Sequence, residues 1–176
     1  MILGLSTSSF TLLHVLISLV GIGSGLVVAF GLINGKLLAG WNLLFLVSTV
    51  LTSLTGFAFP FEHVLPSHKV GAISLIVLAI AIVAFYVFHL AGRWRTIYVV
   101  TALVALYLNV FVGVVQSFLK VPALKAMAPT GSEPPFLVAQ TVVLALFVVL
   151  GVFAVKRFRG IATAAPALAS HSDRAA

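Results

Sequence analysis

The chain contains no cysteine. That absence removes disulfides, thiolate iron–sulfur clusters, cysteine zinc sites, thiol nucleophiles and covalent c-type haem attachment together. Charge is scarce too. Charged residues make up 7% of the 176, with three acids against ten Lys and Arg. Soluble domains carry about 25% charged residues, so this composition does not build an ordinary water-facing surface. With 62% apolar residues, disorder is excluded for most of the chain. No GxSxG, HExxH or paired carboxylate occurs, and no internal repeat. The two methionines, Met1 and Met127, offer no methionine ligand set.

What is present is long apolar runs. A bilayer core about 30 Å thick needs about 20 apolar residues as helix. Five segments meet that length: 10–33, 38–59, 70–90, 97–119 and 136–155. None contains Asp, Glu, Lys or Arg, and none alternates with the period of two of a barrel strand. The fold expected is all-α, a five-helix transmembrane bundle forming one domain over 1–159. The Ala- and Ser-rich segment 160–176 reads as a disordered tail.

The breaks between runs are marked. Asn34-Gly35-Lys36 reads as a tight turn. Pro60 ends the second run, because the residue before proline avoids the helical region. PFEHVLPSHK, 60–69, reads as a polar connector. The segment 120–135 carries Pro122, Pro129, Pro134 and Pro135. It reads as an extended loop laying Val121, Leu124 and Met127 on the bundle while its lysines reach water.

The cations sit at the ends of the runs. One side would carry Lys36, Arg93, Arg95, Lys156, Arg157, Arg159 and Arg174, the other Lys69, Lys120 and Lys125. Seven against three places the first side in the cytoplasm, with the N-terminus outside and the C-terminus inside. Basic residues at membrane edges account for the net charge of +7, so nucleic-acid binding is set aside.

Polar groups cost free energy in hydrocarbon unless paired, so their placement is the main clue to function. In the second run, Ser48, Thr52 and Thr55 share one stripe, and Thr49, Ser53 and Gly56 share the next. The favoured reading is a small-residue helix interface with hydroxyls bonded to backbone carbonyls; the sharper one is a hydroxyl-lined path. Gly21 and Gly25 form a GxxxG that lets helix backbones approach closely. Asn109, Gln116 and Gln140 read either as interhelical amide hydrogen bonds or, with Glu62, as a polar pocket.

His14, His63 and His68, with Glu62 beside them, fall at the outer face by topology. Neutral imidazole ligates haem iron, zinc and copper, so these three are the candidate ligands of a b-type haem or a transition metal. The competing reading is interfacial histidines bonded to water, headgroups or a carbonyl. His14 lies seven positions before Gly21, so a bundle-facing GxxxG turns His14 inward as well.

The stretches TSLTGFAFPFEHVLPSHKVG (52–71), FHLAGRWRTIYVVTALVALYLNVFVGVVQSFLKVPALKAMAP (88–129) and GSEPPFLVAQ (131–140) are similar to those of a family of small bacterial inner-membrane proteins without an assigned activity. The resemblance covers roughly 12–159. It implies a multi-pass location in the bacterial inner membrane and brings no catalytic residue.

Two functions follow. One is a non-catalytic membrane component, an anchor, assembly or accessory subunit, with the lipid bilayer and a membrane-protein partner or second copy as contacts. The other is a small redox protein holding haem or metal at the outer histidines. Ion-coupled transport ranks lower, because no span carries an ionisable carboxylate or base.

Overall fold

The computed structural model describes residue 2, residues 4–59 and residues 66–159. Glu62, His63 and the expected tail 160–176 lie outside the described residues. The chain is all-α, and the described residues hold no strand beyond an isolated bridge between Ile2 and Leu5.

Among the described residues six α-helices form: α1 Thr7–Ile33, α2 Ala39–Gly56, α3 Pro66–Ile82, α4 Trp94–Lys120, α5 Pro122–Met127 and α6 Pro134–Arg157. A π-helical turn, Val83–Val87, extends α3. Five of these elements are long and apolar enough to cross a membrane, with α3 and its π turn counted as one. At 1.5 Å per residue, the 27 residues of α1 and of α4 span about 40 Å and the 18 of α2 about 27 Å, which bracket the bilayer core.

Local chemistry sets the ends. Ser6 caps α1, its hydroxyl accepting from the Ser9 N–H at 3.1 Å. The α1–α2 turn needs Gly35, whose φ of +69° suits glycine. α2 stops at Gly56, short of the expected 59, in a turn at Phe57 and Ala58. The segment 120–135 differs from the extended loop read from its prolines. Pro122 and Pro134 instead start α5 and α6, where the missing N–H and preset φ are assets. Val121 and Met127 stay exposed there, and only Leu124 is half-buried.

Helices α1, α2, α3 and α4 pack in a ring, each against the next and α4 back against α1, and α6 lies in the groove between α1 and α4. The apolar core fills the half of the ring toward the Asn34 turn: Leu32, Phe45, Leu78, Tyr98 and Leu106 lie there, all fully or almost fully buried. Small residues bring α3 against α4, with Ala81, Ala84, Ala102 and Ala105 inaccessible or nearly so. Apart from Asn42, which meets Tyr98 inside this core, the buried polar side chains lie at mid-depth and in the other half of the ring.

The end of α3 is strained. Phe88 N–H bonds to the Val83 carbonyl at 3.1 Å, and Leu90 N–H to that of Ala84 at 3.1 Å. Closing this wide turn puts His89 at φ +48° and Leu90 at φ +59°. Two successive non-glycine residues in the left-handed region cost roughly 1–2 kcal/mol each. Phe88 stacks on Trp94 at 3.8 Å across the connector.

Candidate functional site

Helix α2 carries a column of polar side chains and hands one to each neighbour. Near the N-terminal end of α1, Thr55 meets His14, with the hydroxyl 2.8 Å from Nδ1. Two residues further inward, Ser53 donates to Ser74 of α3 at 3.2 Å. At mid-depth, Ser48 and Thr49 face Gly21 of α1 and Asn109 of α4. Toward the opposite end, the hydroxyl of Tyr98 of α4 donates to the Asn42 side-chain oxygen, both residues being inaccessible.

The His14 contact assigns a tautomer. Thr55 Oγ1 also sits 2.7 Å from the Leu51 carbonyl, which can only accept. The single hydroxyl proton goes there, so Thr55 accepts from His14 Nδ1–H, and Nε2 carries the lone pair. Phe59 packs edge-on against the same ring at 5.3 Å. His14 therefore faces the bundle, in line with Gly21 and Gly25. His68 is buried and lies at 5.5 Å from the Phe57 ring, in a tilted arrangement.

Glycine 21 makes room for a convergence of polar atoms. A Cβ there would lie 3.0 Å from Asn109 Nδ2, 3.2 Å from Thr49 Oγ1 and 3.3 Å from Ser48 Oγ. Ser48 gives its proton to the Leu44 carbonyl at 2.6 Å. Asn109 Nδ2 and Thr49 Oγ1 have no hydrogen-bond partner. Each such buried group costs about 1–3 kcal/mol when unpaired. Two free donors beside one acceptor suit a small oxygen-bearing group or one water held between three helices. Asn42 Nδ2, Thr52 Oγ1 and Gln140 Oε1 are likewise unpartnered.

The predicted site residues are thus spread along the bundle. His14, His68 and Asn109 are wholly or partly buried at different contacts. Gln140 is half-buried, and its Nε2 donates to the Phe111 carbonyl of α4 at 3.2 Å. Gln116 is exposed: the stripe it shares with Asn109 leaves the bundle toward the end of α4. Glu62 and His63 lie outside the described residues. Among the described residues no three His, Cys, Asp or Glu form a group able to hold a metal ion.

No protein-family model, curated protein or solved structure matches this chain. Sequence reasoning missed the pairing of Asn42 with Tyr98, and missed Gly21 as a polar cradle. The signal for the first was there: an amide four residues into an apolar helix requires a partner. The second depends on which helices meet, which no local pattern states.

Outside the spans, Glu133 organises the start of α6. Its carboxylate accepts from the backbone N–H of Thr130 at 2.9 Å, from the Thr130 hydroxyl at 2.9 Å and from the Ser132 N–H at 3.0 Å. The Thr130 N–H is the main cause that draws its pKa down to about 2, with the Thr130 hydroxyl and nearby backbone N–H groups adding to it.

Proposed function

We propose that this protein is a non-catalytic component of the bacterial inner membrane, an anchor, assembly or accessory subunit, with its N-terminus outside and its C-terminus in the cytoplasm. The observation that carries the role is α6. Only 6% of its apolar stretch is buried, against 39% for those of α1 and α4. A helix docked in a groove by one side keeps a long apolar stripe for lipid or for another membrane protein. The column on α2 supports the same role, since its polar groups join helix to helix. The cation asymmetry supports the orientation, and the family resemblance supports the location.

The test uses the α6 stripe. Val138, Val142 and Val149 are 60%, 52% and 51% exposed and share one face. A photo-crosslinking side chain at each position, activated in native membranes, is expected to give one protein adduct of constant mass. Lipid adducts alone at all three positions refute the accessory role.

A second reading has one observation in its favour. His14 spends Nδ1–H on Thr55 and keeps the Nε2 lone pair, the arrangement in which a histidine ligates a metal while its other nitrogen is held. In that reading His14, with His63 and His68, holds b-type haem or a transition metal. A Soret band in the protein purified from membranes supports it; a colourless, metal-free sample removes it.

A further inference from the structure

The end of the bundle away from His14 and His68 has its own cavity, broadly open at the surface. It measures about 370 Å³ and is lined by Ile33, Asn34, Gly35, Lys156, Arg157 and Arg159. We propose that this cavity binds the phosphate of an anionic phospholipid headgroup. The proposal needs the membrane setting but not the accessory role, so the two fail separately.

The sequence KRFR, 156–159, builds the cationic wall. α6 ends at Arg157, and Phe158 continues in extended backbone with φ −76° and ψ 98°. Phe158 is 1% exposed and belongs to the apolar core. Arg157, the last helical residue, and Arg159, which follows Phe158, are both exposed on either side of this buried anchor. Arg157 also lies 5.9 Å from the Phe153 ring, which holds its head at the membrane edge.

The other wall is the α1–α2 turn. Gly35 approaches the α6 terminus so closely that a Cβ would sit 3.4 Å from the Arg157 carbonyl. This closeness keeps the turn against the cations. The helices α1 and α6 both end here, and each C-terminus contributes roughly half a negative charge. Three cations outweigh that, leaving about two positive charges. The one carboxylate among the described residues, Glu133, starts α6 at its far end, about 36 Å away at 1.5 Å per residue.

Lipid is favoured over a soluble anion by what borders the cavity. Phe30 and Phe153, about a turn toward the bilayer from Ile33 and Arg157, are 70% and 47% exposed. A phosphate between the cations would leave its acyl chains lying on these rings. Basic pockets between transmembrane helices take lipid phosphates in this way.

The experiment is native mass spectrometry of the full-length protein from detergent micelles doped with phosphatidylglycerol or phosphatidylcholine. Retention of phosphatidylglycerol over phosphatidylcholine is expected, and R157Q/R159Q is expected to cut it at least about tenfold, since each cation near a lipid surface is worth about fivefold. K120Q/K125Q removes two cations from the other end of the bundle and is expected to leave retention unchanged. Equal retention by R157Q/R159Q and the natural chain overturns the site. An equal loss in K120Q/K125Q shows nonspecific charge and overturns it as well. Displacement of the lipid by millimolar inorganic phosphate reassigns the cavity to a soluble anion and overturns the lipid proposal. A thermal melt of each variant separates loss of binding from loss of fold.

Discussion

Replacing Tyr98 with Phe isolates one joint of the polar column. Tyr98 and Asn42 are both inaccessible, and the tyrosine hydroxyl is the donor to the Asn42 oxygen. Asn42 Nδ2 has no partner to begin with. Y98F therefore leaves the whole amide unpaired in an apolar half of the bundle. A buried polar atom stripped of its partner costs about 1–3 kcal/mol. Interhelical hydrogen bonds in membranes average nearer 0.6 kcal/mol with a maximum of about 1.7, so the lower part of that range is expected here. N42L has the mirror effect and leaves the Tyr98 hydroxyl unpaired. The double variant buries no unpaired group at this joint and also removes the unpartnered Nδ2. It is therefore expected to be more stable than either single variant, with a coupling of about 1 kcal/mol between the two changes. The assay is reversible unfolding of detergent-solubilised protein by sodium dodecyl sulfate titration, followed by tryptophan fluorescence. Strict additivity, or a Y98F effect within about 0.3 kcal/mol of zero, refutes the reasoning.

Gly25 tests the close approach of α1. A Cβ there would lie 2.5 Å from Leu106 Cδ1 and 2.8 Å from Phe45 Cδ2, so G25A is expected to lose about 1–3 kcal/mol, read from the same titration. G23A is the control, since nothing lies within 4 Å of that position; an equal loss in both removes the packing argument. H89G and L90G relax left-handed backbone at the end of α3 and are each expected to stabilise by up to about 1 kcal/mol; destabilisation by both shows that the side chains matter more than the strain. Glu133 has its pKa lowered from 4.5 to about 2, so its hold on Thr130 and Ser132 is complete above pH 4.5 and is lost as pH falls through about 2. Amide exchange at Thr130 and Ser132, corrected for intrinsic rates, is expected to be protected down to about pH 3 and unprotected at all pH values in E133Q; the same profile in both refutes the assignment.

Composition and run length by themselves determined the helical class and the five crossings, because hydrocarbon tolerates only helices or closed barrels and these runs lack a barrel's alternation. GxxxG spacing placed Gly21 and Gly25 at a helix contact, and seven-residue spacing turned His14 inward with them. Hydroxyl–carbonyl bonds within α2, as at Ser48 and Thr55, were legible too, since a serine or threonine in a helix has the carbonyl four residues back within reach. Prolines misled the reading of 120–135, because the same fixed φ serves an extended loop and a helix start. The pairing of Asn42 with Tyr98 joins positions 56 apart, and the Gly21 cradle draws on three helices. Such contacts depend on which helices are neighbours and how each is rotated, and period and composition are the same for every such arrangement. The cationic cavity is divided the same way. KRFR is visible as charge, but only the burial of Phe158 in the core, with Gly35 against the α6 terminus, turned three cations into one wall.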